Sequence, residues 1–317
     1  MLDLMVRFLA RGSRRLPSVR GRGSVAQCLY RTISGHVSGE WNIPMKRGHV
    51  MRVPCSAAQT WMPAFTGRYD DEELDCILPL IRPDSFALDV GACFGFYTVP
   101  LGVAARRVHA RVLAFEPVSS NRNYLLHNLA ANALGNVVDV MPLALGNSSG
   151  RAIVRLEPHG VGNAAVVAVD LLNEAGFTCQ EVLVERLDDL QLPDGCTGRP
   201  CSLVKMDIEG FELEALRGAE RFVLTHRPVI LGEFNPWFLD RYRVDPQAPR
   251  IWAESHGYVC CELVYSRRGP LSDRRRIVLR AAADASARTG TPLLLLPAER
   301  LNEAEAKISL CGQAYPH

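Results

Sequence analysis

The sequence predicts an α/β fold in which helices cover both faces of a doubly wound, mostly parallel sheet. The first observation is the alternation of strand-like and helix-like segments from Phe86 onward. The second is the segment 87–98, where an apolar strand ends in an acid and a Gly-x-x-x-Gly turn precedes a helix. A third is the change of pattern between Gly150 and Leu190, where short β runs separated by Gly and Asn predict a β-rich insertion.

Length and composition fit one such domain with additional segments. The chain has 317 residues and a net charge of +2, which argues against a nucleic-acid-binding protein. Ten cysteines without a C-x-x-C pair or zinc-like spacing predict reduced, mostly buried thiols, although Cys196 and Cys201 are close enough in sequence to approach each other. No apolar run reaches membrane-spanning length and the start does not resemble a secretory signal, so we expect a cytoplasmic protein.

Residues 1–35 are predicted to form a basic extension. Residues 1–10 are a short apolar helix candidate, in which Leu2, Met5 and Leu9 share one helical face. Five arginines follow among Gly, Ser and Pro, namely Arg11, Arg14, Arg15, Arg20 and Arg22. This segment is either a frayed basic terminus or a weak peripheral contact with anionic lipid through residues 1–22.

Residues 36–82 are predicted to be a leader of one hairpin and one helix. Two alternating runs within 40–54 flank Lys46-Arg47-Gly48 and predict the hairpin. The helix has acids at 70–73 in its first turn and ends at Pro83.

The core domain is predicted to span residues 83–300, with a tail at 301–317. Its strands are expected at 86–90, 111–115, 136–143, 202–207 and 228–234, and two last strands at 258–264 and 292–296 are joined by an arginine-rich connection. Helices are expected at 95–105, 119–132, 210–224 and 247–256. The β runs of the insertion are 151–156, 164–169 and 181–187.

The segment after the first core strand is typical of a nucleotide-type pocket. Asp89 ends the strand, Gly91 permits a turn and close approach of a ligand, and Gly95 leaves room for helix packing. Glu116 ends the next strand, 25 residues after Gly91, near the spacing at which an acid reaches a ribose hydroxyl pair. Two neighbouring strand ends therefore point at one nucleoside.

The same loop favours S-adenosylmethionine over a dinucleotide. A nicotinamide site uses G-x-G-x-x-G to cradle a pyrophosphate, and here Ala92 and Cys93 stand in place of the middle glycine. Asp89 would repel a pyrophosphate, whereas it can accept hydrogen bonds from the ammonium group at the methionine end of S-adenosylmethionine. A structural βα turn and another nucleotide site are the alternatives.

Five ordered blocks of the chain resemble the FkbM family of S-adenosylmethionine-dependent methyltransferases, over roughly residues 65–300. The blocks are 89–98, 115–117 with Asn128 downstream, 144–146, 203–210, and 216–219 followed by 227–233. The resemblance implies a Rossmann-like class I methyltransferase fold with a seven-stranded sheet and an antiparallel last strand. It also implies methylation mostly of hydroxyl groups on sugars or secondary metabolites. One departure is Cys93, where family members usually carry Asn.

Four acids at strand ends are expected to converge at one edge of the sheet: Asp89, Glu116, Asp207 and Glu233. Methyl transfer needs the acceptor oxygen in line with the methyl group and a nearby group that takes or shares its proton. Asp207 is the first candidate for that base. Lys205 is expected on the same side of the strand as Asp207, and pairing with it would lower the pKa of Asp207 and weaken it as a base. In one alternative, Asp207 therefore orients a ligand and does not take the proton. In another, Lys205, Asp207 and Glu209 form only an ion-paired, helix-capping cluster.

Glu233 and His159 are further candidates for the base. His159 lies in a flexible insert that either covers the substrate or is a solvated loop. A divalent cation held by Asp207, Glu233 and Asn235 is the less favoured arrangement, because these residues also serve as caps and cofactor contacts. The residues expected to bind the cofactor are Asp89, Gly91, Ala92, Gly95, Glu116, Pro117, Ala144 and Leu145, the last two beside the adenine.

The sequence thus predicts an O-methyltransferase that acts on a sugar, glycan or secondary metabolite, the acceptor being a small molecule or glycan. A nicotinamide-dependent oxidoreductase is the alternative enzyme class, which the missing middle glycine argues against. A non-catalytic cofactor-binding relative is the third possibility. Calorimetry with S-adenosylhomocysteine and with NADH distinguishes these three.

Overall fold

The computed structural model describes residues 2–16, 21–156, 164–167, 178–267, 275–281 and 292–311. Several of the sequence expectations lie outside the described residues. These are His159, Arg20, the last two positions of the β run expected at 164–169, parts of the arginine-rich connection, and residues 312–317 of the tail.

The residues before the core form a layer of short helices and one hairpin. Its elements are α1 (Leu2–Arg15), α2 (Arg22–Ile33), β1 (Glu40–Pro44), β2 (Val50–Pro54), α3 (Trp61–Thr66) and α4 (Asp71–Ile77). The predicted hairpin is confirmed, since β1 and β2 pair antiparallel, and the predicted acid-opened helix is α4. The idea of a frayed terminus does not hold for α1, which packs on α3 and buries Val6 and Ala10.

From Phe86 onward, strands and helices alternate as predicted. The first part contains β3 (Phe86–Val90), α5 (Thr98–Arg107), β4 (Arg111–Phe115), α6 (Ser119–Ala131) and β5 (Val138–Met141). The insertion follows, with β6 (Ala144–Leu145), β7 (Gly150–Leu156), β8 (Ala164–Val167) and β9 (Thr178–Glu185). The remainder contains β10 (Cys201–Met206), α7 (Glu212–Arg217), α8 (Glu220–His226), β11 (Val229–Gly232), α9 (Pro236–Arg241), α10 (Ala248–Ser255), β12 (Tyr258–Arg267), β13 (Arg275–Ala281), β14 (Leu293–Pro297) and α11 (Leu301–Cys311).

The central sheet has the strand order β5-β4-β3-β10-β11-β14-β12-β13. Strands β5 to β11 of this order are parallel, and β14 is antiparallel to β11. The predicted mostly parallel α/β fold with an antiparallel last strand is therefore confirmed. The insertion forms a separate four-stranded sheet, β6-β9-β7-β8, which confirms the predicted β-rich insertion.

The predicted number of seven strands is wrong, because β13 adds an eighth strand at one edge. It lies within the expected arginine-rich connection and pairs antiparallel with β12. Its apolar signal is only Ile277-Val278-Leu279 between arginines. Strand formation here depends on the neighbouring strand, which a local pattern does not reveal.

The helix predicted at 210–224 is two helices, α7 and α8, separated at Gly218. A Cβ atom at Gly218 would lie 1.8 Å from the carbonyl oxygen of Gly146. This close approach requires glycine and ends α7. The predicted tail also begins as a helix, α11, which packs against α4 and buries Ala304 and Ile308.

The sheet places its functional edge at a reversal of strand order. From β3 the chain adds β4 and β5 on one side, and then β10 and β11 on the other. In open α/β sheets, ligands bind outside the carboxyl ends of the strands at such a switch point. Cys196 and Cys201 lie elsewhere, as buried free thiols, so the possible pairing of the two is not formed.

Candidate functional site

A cleft lies at the carboxyl ends of β3, β4 and β10. Its place outside the strand ends is where open α/β sheets bind small molecules. Eight of the eleven expected site residues line it: Gly91, Ala92, Glu116, Pro117, Ala144, Leu145, Lys205 and Asp207. The other three, Asp89, Gly95 and Glu233, lie outside its wall.

The loop after β3 is fastened to the strands on both sides. Gly91 has a φ of +82°, and a Cβ atom there would lie 2.0 Å from the carbonyl oxygen of Asp207. On the other side, the N–H groups of Gly91 and Ala92 both donate to the carbonyl of Phe115, at 3.0 Å. Glycine is therefore required at 91 by the approach of β10, in addition to any approach of a ligand.

Gly95 leaves room for helix packing as predicted, and the helix that it meets is α6. Its φ is +93°, and a Cβ atom would lie 2.8 Å from Cδ1 of Leu125 on α6. Its role in this structure is to let α6 pack against the loop. A direct contact of Gly95 with the cofactor stays a prediction.

Asp89 and Lys205 form a buried ion pair behind the wall of the cleft. Asp89 is fully buried, accepts a hydrogen bond from Oγ1 of Thr98 at 2.5 Å, and lies 3.3 Å from Nζ of Lys205. Nζ also donates to the Gly91 carbonyl at 3.2 Å and lies 3.8 Å from Asp207. Burial favours the neutral amine, but the carboxylates of Asp89 and Asp207 outweigh it and raise the pKa of Lys205. The ammonium group therefore stays charged and links the ends of β3 and β10.

This arrangement changes how Asp89 can act. From the sequence, the Asp89 carboxylate is expected to accept hydrogen bonds from the ammonium group of a ligand. In the structure its oxygens face Lys205 and Thr98 instead. Its direct contact with the cofactor stays a prediction, and its observed effect is to hold Lys205 charged at the cleft wall.

Glu116 is the buried acid of the cleft. Its Oε2 accepts a hydrogen bond from the N–H of Cys93 at 2.7 Å, and its Oε1 accepts one from Val118 at 2.8 Å. Burial raises the pKa of Glu116 to about 7 despite these two hydrogen bonds. A carboxylate has acceptor capacity beyond two bonds, so Glu116 can fix the loop and still bind two hydroxyl groups in the cleft.

Asp207 stands beside two further carboxyl groups, those of Glu233 and Asp70. Burial and then the charge of Asp207 raise the pKa of Glu233 to about 7. Burial, then Glu73 and Glu233, raise the pKa of Asp70 to about 7. Glu233 and Asp70 therefore exchange protons near neutral pH.

Asp70 is a carboxyl residue near Asp207 that the sequence does not single out. The sequence shows it only as one of the acids that open α4. In the structure it has a φ of +41°, and its Oδ2 accepts a hydrogen bond from the hydroxyl of Tyr97 at 3.3 Å. No local pattern predicts that the leader brings a carboxyl group to the end of the sheet.

The expected helix-capping role of Glu209 belongs instead to Glu212. Oε1 of the buried Glu212 accepts hydrogen bonds from the N–H groups of Ile208 at 2.8 Å and Gly210 at 3.2 Å. Glu209 lines the cleft with a φ of +58°. Burial and then Asp207 raise its pKa to about 8. Glu209 is therefore part of the polar wall of the cleft, and Glu212 caps the helix.

The expected cation ligands are partly engaged elsewhere. Oδ1 of Asn235 caps α9 by accepting a hydrogen bond from the N–H of Trp237 at 3.0 Å. In the part of the chain that the structure describes, no group of three or more His, Cys, Asp or Glu side chains is arranged to hold a metal ion.

Three non-glycine residues around the cleft have left-handed backbone conformations: Asp70, Cys93 and Glu209. Such conformations are unfavourable for most side chains and persist where the surrounding fold imposes them. At Cys93 the φ is +48°, and Asn tolerates this conformation better than Cys. The left-handed backbone therefore gives a physical reason for the Asn that the family resemblance implies at this position. Burial and then Glu116 raise the pKa of the Cys93 thiol, so the thiol stays neutral.

We expect Cys93→Asn to stabilise the protein by about 0.5–1 kcal/mol, because it lowers the strain of the left-handed backbone. The midpoint of thermal unfolding should rise by about 1–3 °C, measured by calorimetry without ligand. Cys28→Asn is the matched control, because Cys28 is exposed within helix α2. An equal response of the two variants would contradict the explanation.

The composition of the cleft fits S-adenosylmethionine. Glu116 offers carboxylate oxygens for a ribose, and Val118, Leu145 and Phe211 provide apolar surface for an adenine ring. Lys205 and Asp207 make the opposite side polar. One cleft therefore combines a side whose chemistry suits a nucleoside with a side whose chemistry suits a polar acceptor.

Comparison with known proteins gives one family. Residues 89–260 match the model of the methyltransferase FkbM domain. Methyltransferase sdnD of Sordaria araneosa is 29% identical over 158 residues, 43% of this chain and 60% of that protein. Methyltransferase 1 of Beauveria bassiana (strain ARSEF 2860) is 28% identical over 156 residues, 43% of this chain and 59% of that protein. The chain thus spans about 60% of the length of the curated relatives that it matches.

A solved structure is also similar. Methyltransferase FkbM from Methylobacillus flagellatus KT is 18% identical, with a TM-score of 0.42. The alignment covers 75% of this chain and 53% of that chain.

Proposed function

The chain belongs to the FkbM methyltransferase family, and from this premise we propose that it transfers a methyl group from S-adenosylmethionine to a hydroxyl oxygen of a sugar, glycan or secondary metabolite. The observation that supports the proposal is the meeting of Glu116 and Asp207 in one cleft at the switch point of the sheet. One carboxylate suits the ribose of the cofactor, and the other suits a hydroxyl acceptor.

The cofactor side depends on Glu116 and the apolar wall. When bound, S-adenosylmethionine supplies an electrophilic methyl group on a sulfonium whose thioether product is a neutral leaving group. Glu116 binds the ribose hydroxyl groups, and Val118 and Leu145 pack against the adenine. The N–H groups of Gly91 and Ala92 are engaged by the Phe115 carbonyl, which leaves them unsuited to cradle a pyrophosphate. This argues against the nicotinamide-dependent alternative.

The acceptor side depends on Asp207. Its side chain lines the cleft and is 32% exposed, and the ammonium group of Lys205, 3.8 Å away, fixes its orientation. The Asp207 carboxylate accepts a hydrogen bond from the acceptor hydroxyl and holds its oxygen for in-line attack. Glu233 and Asp70, whose pKa values lie near 7, share the proton as the oxygen is methylated.

The test is a transfer assay with S-adenosylmethionine that carries a deuterated methyl group. The full-length protein is incubated with fractionated extracts, and products that gain the label are identified by mass spectrometry. Mild base then separates the acceptor classes, because methyl esters are cleaved and methyl ethers are not. Base-stable labelled products whose fragmentation places the methyl group on a hydroxyl oxygen support the proposal, and a label on nitrogen, carbon or sulfur would contradict it. Base-labile products would assign the reaction to carboxyl groups, and calorimetry showing NADH binding without S-adenosylhomocysteine binding would overturn the enzyme class.

We expect turnover to rise with pH through about 7, because Glu233 and Asp70, which share the acceptor's proton with Asp207, must be ionised to receive it. The charge of Glu233 raises the pKa values of both Asp70 and Glu209. Removing this charge in Glu233→Gln should therefore lower those pKa values and move the rise in turnover to lower pH.

The measurement is the pH profile of kcat for wild type and variant. Glu254→Gln is the control, because Glu254 is an exposed partner of Arg250 on α10. A profile that Glu233→Gln and Glu254→Gln change equally would exclude the carboxyl group from the rate-limiting proton step.

A further inference from the structure

Helix α1 has two apolar sides, and only one of them packs on the protein. The inner side buries Val6 and Ala10. The outer side has four large, exposed apolar residues, and a fifth follows just beyond the helix. They are Leu4 (74% exposed), Met5 (52%), Phe8 (75%), Leu9 (46%) and, beyond the helix, Leu16 (56%). With 3.6 residues per turn, these positions form one continuous strip. Grouped exposure of large apolar side chains is typical of an interaction surface.

The helix is fixed, so the outer side stays exposed in the folded protein. Arg7 donates hydrogen bonds to the carbonyls of Glu40 at 2.7 Å and Ser38 at 2.5 Å. Arg14 lies about two turns further along the same side of the helix. It donates a hydrogen bond to the carbonyl of Ala64. These bonds tie α1 to the hairpin and to α3, and they prevent a rotation that would bury the outer residues.

The charges on the outer side are positive. Arg11 and Arg15 are exposed and border the apolar strip on the helical wheel. Among the described residues, no acidic side chain pairs with either of them. Asp3 is the one acid in α1, and it is engaged by Arg7 at 3.0 Å. An apolar strip bordered by unneutralised arginines complements a surface that is apolar inside and anionic at its boundary.

The length of α1 decides its orientation. It has 14 residues, whereas a helix needs about 20 apolar residues to cross a bilayer. Within the described residues, no helix is long and apolar enough to span a membrane. A helix of this kind lies in the plane of the membrane surface, with its apolar side among the upper parts of the acyl chains.

We propose that the outer side of α1 docks the protein on the surface of an anionic phospholipid bilayer. Leu4, Met5, Phe8, Leu9 and Leu16 enter the acyl boundary, and Arg11 and Arg15 contact lipid phosphates. The charges favour this partner over a second copy of the chain, since pairing two α1 helices side by side would bring like-charged arginines together. The inference is independent of the methylated substrate.

The experiment measures co-sedimentation of the full chain with vesicles of phosphatidylcholine alone and of phosphatidylcholine with phosphatidylglycerol. We expect binding to the anionic vesicles at low salt, reduced at high salt. Leu4→Ser with Phe8→Ser should weaken binding by about tenfold or more, because two large apolar side chains are lost. Arg11→Gln with Arg15→Gln should remove the preference for the anionic vesicles.

Leu126→Ser with Leu224→Ser is the matched control, because Leu126 and Leu224 are 49% and 55% exposed on other helices. Thermal unfolding of every variant checks that the fold is retained, and Phe8→Trp should show blue-shifted emission only with anionic vesicles. Failure of the wild type to sediment with these vesicles, or equal loss in the control variant, would overturn the proposal. A dimer that Leu4→Ser with Phe8→Ser dissociates would assign the surface to self-association instead.

Discussion

Replacing Glu116 with alanine is expected to weaken the binding of S-adenosylhomocysteine by about 2–3 kcal/mol, which is about 30- to 150-fold in Kd. The reason is that, above the Glu116 pKa of about 7, hydrogen bonds from two ribose hydroxyl groups to a charged carboxylate are lost. The buried position of Glu116 at the end of β4 strengthens these bonds, because water does not compete with them. Isothermal calorimetry measures the change.

The same variant also removes the acceptor of two backbone N–H groups, those of Cys93 and Val118. Glu116→Gln separates the two effects, because the amide keeps the shape and one acceptor oxygen while it removes the charge. Glu181→Ala is the control, since Glu181 is exposed and pairs with Arg151 in the insertion sheet. Unchanged affinity in Glu116→Ala, with the fold intact, would place the ribose elsewhere.

Glu116 also illustrates what the sequence makes predictable. An apolar strand that ends in an acid is a local pattern, so the ends of β3, β4 and β10 are located correctly from the sequence. Parallel strand ends must share one edge, and eight of the eleven expected site residues line the same cleft. The prediction is correct where a local sequence pattern marks the end of a strand and the parallel sheet brings those strand ends to one edge.

The misses share one physical cause, which is contact between segments distant in sequence. Gly218 ends α7 because the Gly146 carbonyl approaches it, and nothing near position 218 encodes that approach. Asp70 joins the carboxyl cluster because it meets Tyr97, 27 residues further along the chain. Strand β13 forms because β12 offers an edge to pair with. In each case the role of the residue depends on a contact with a distant segment, which is present only in the tertiary structure.

Lys205 is correctly predicted as a site residue, but the sequence reveals only one of its two carboxylate partners. The sequence places it on the same side of β10 as Asp207, and the structure confirms that proximity, at 3.8 Å. The stronger contact is with Asp89 on the neighbouring strand, at 3.3 Å, where burial of both groups strengthens the attraction. Asp207 is therefore the more weakly held of the two carboxylates and the one that faces the cleft.

Asp207→Asn is expected to lower turnover by about 10²-fold or more while the affinity for S-adenosylhomocysteine changes little. The amide keeps the shape of the side chain but neither carries the charge that orients the acceptor hydroxyl nor accepts its proton. Lys205 keeps its partner Asp89, so the link between β3 and β10 should persist. The measurements are kcat with the acceptor identified by label transfer, and calorimetry with S-adenosylhomocysteine.

Asp240→Asn provides the matched control for this prediction, because Asp240 is exposed on the neighbouring helix α9 and undergoes the same chemical change. Its turnover should equal that of the wild type. Asp89→Asn should behave differently again, since it leaves the buried ammonium group of Lys205 with a weaker partner and lowers the stability of the fold. If Asp207→Asn instead lost stability and kept its activity per folded molecule, the ion-paired cluster would be purely structural, and proton transfer would belong to Glu233 or His159.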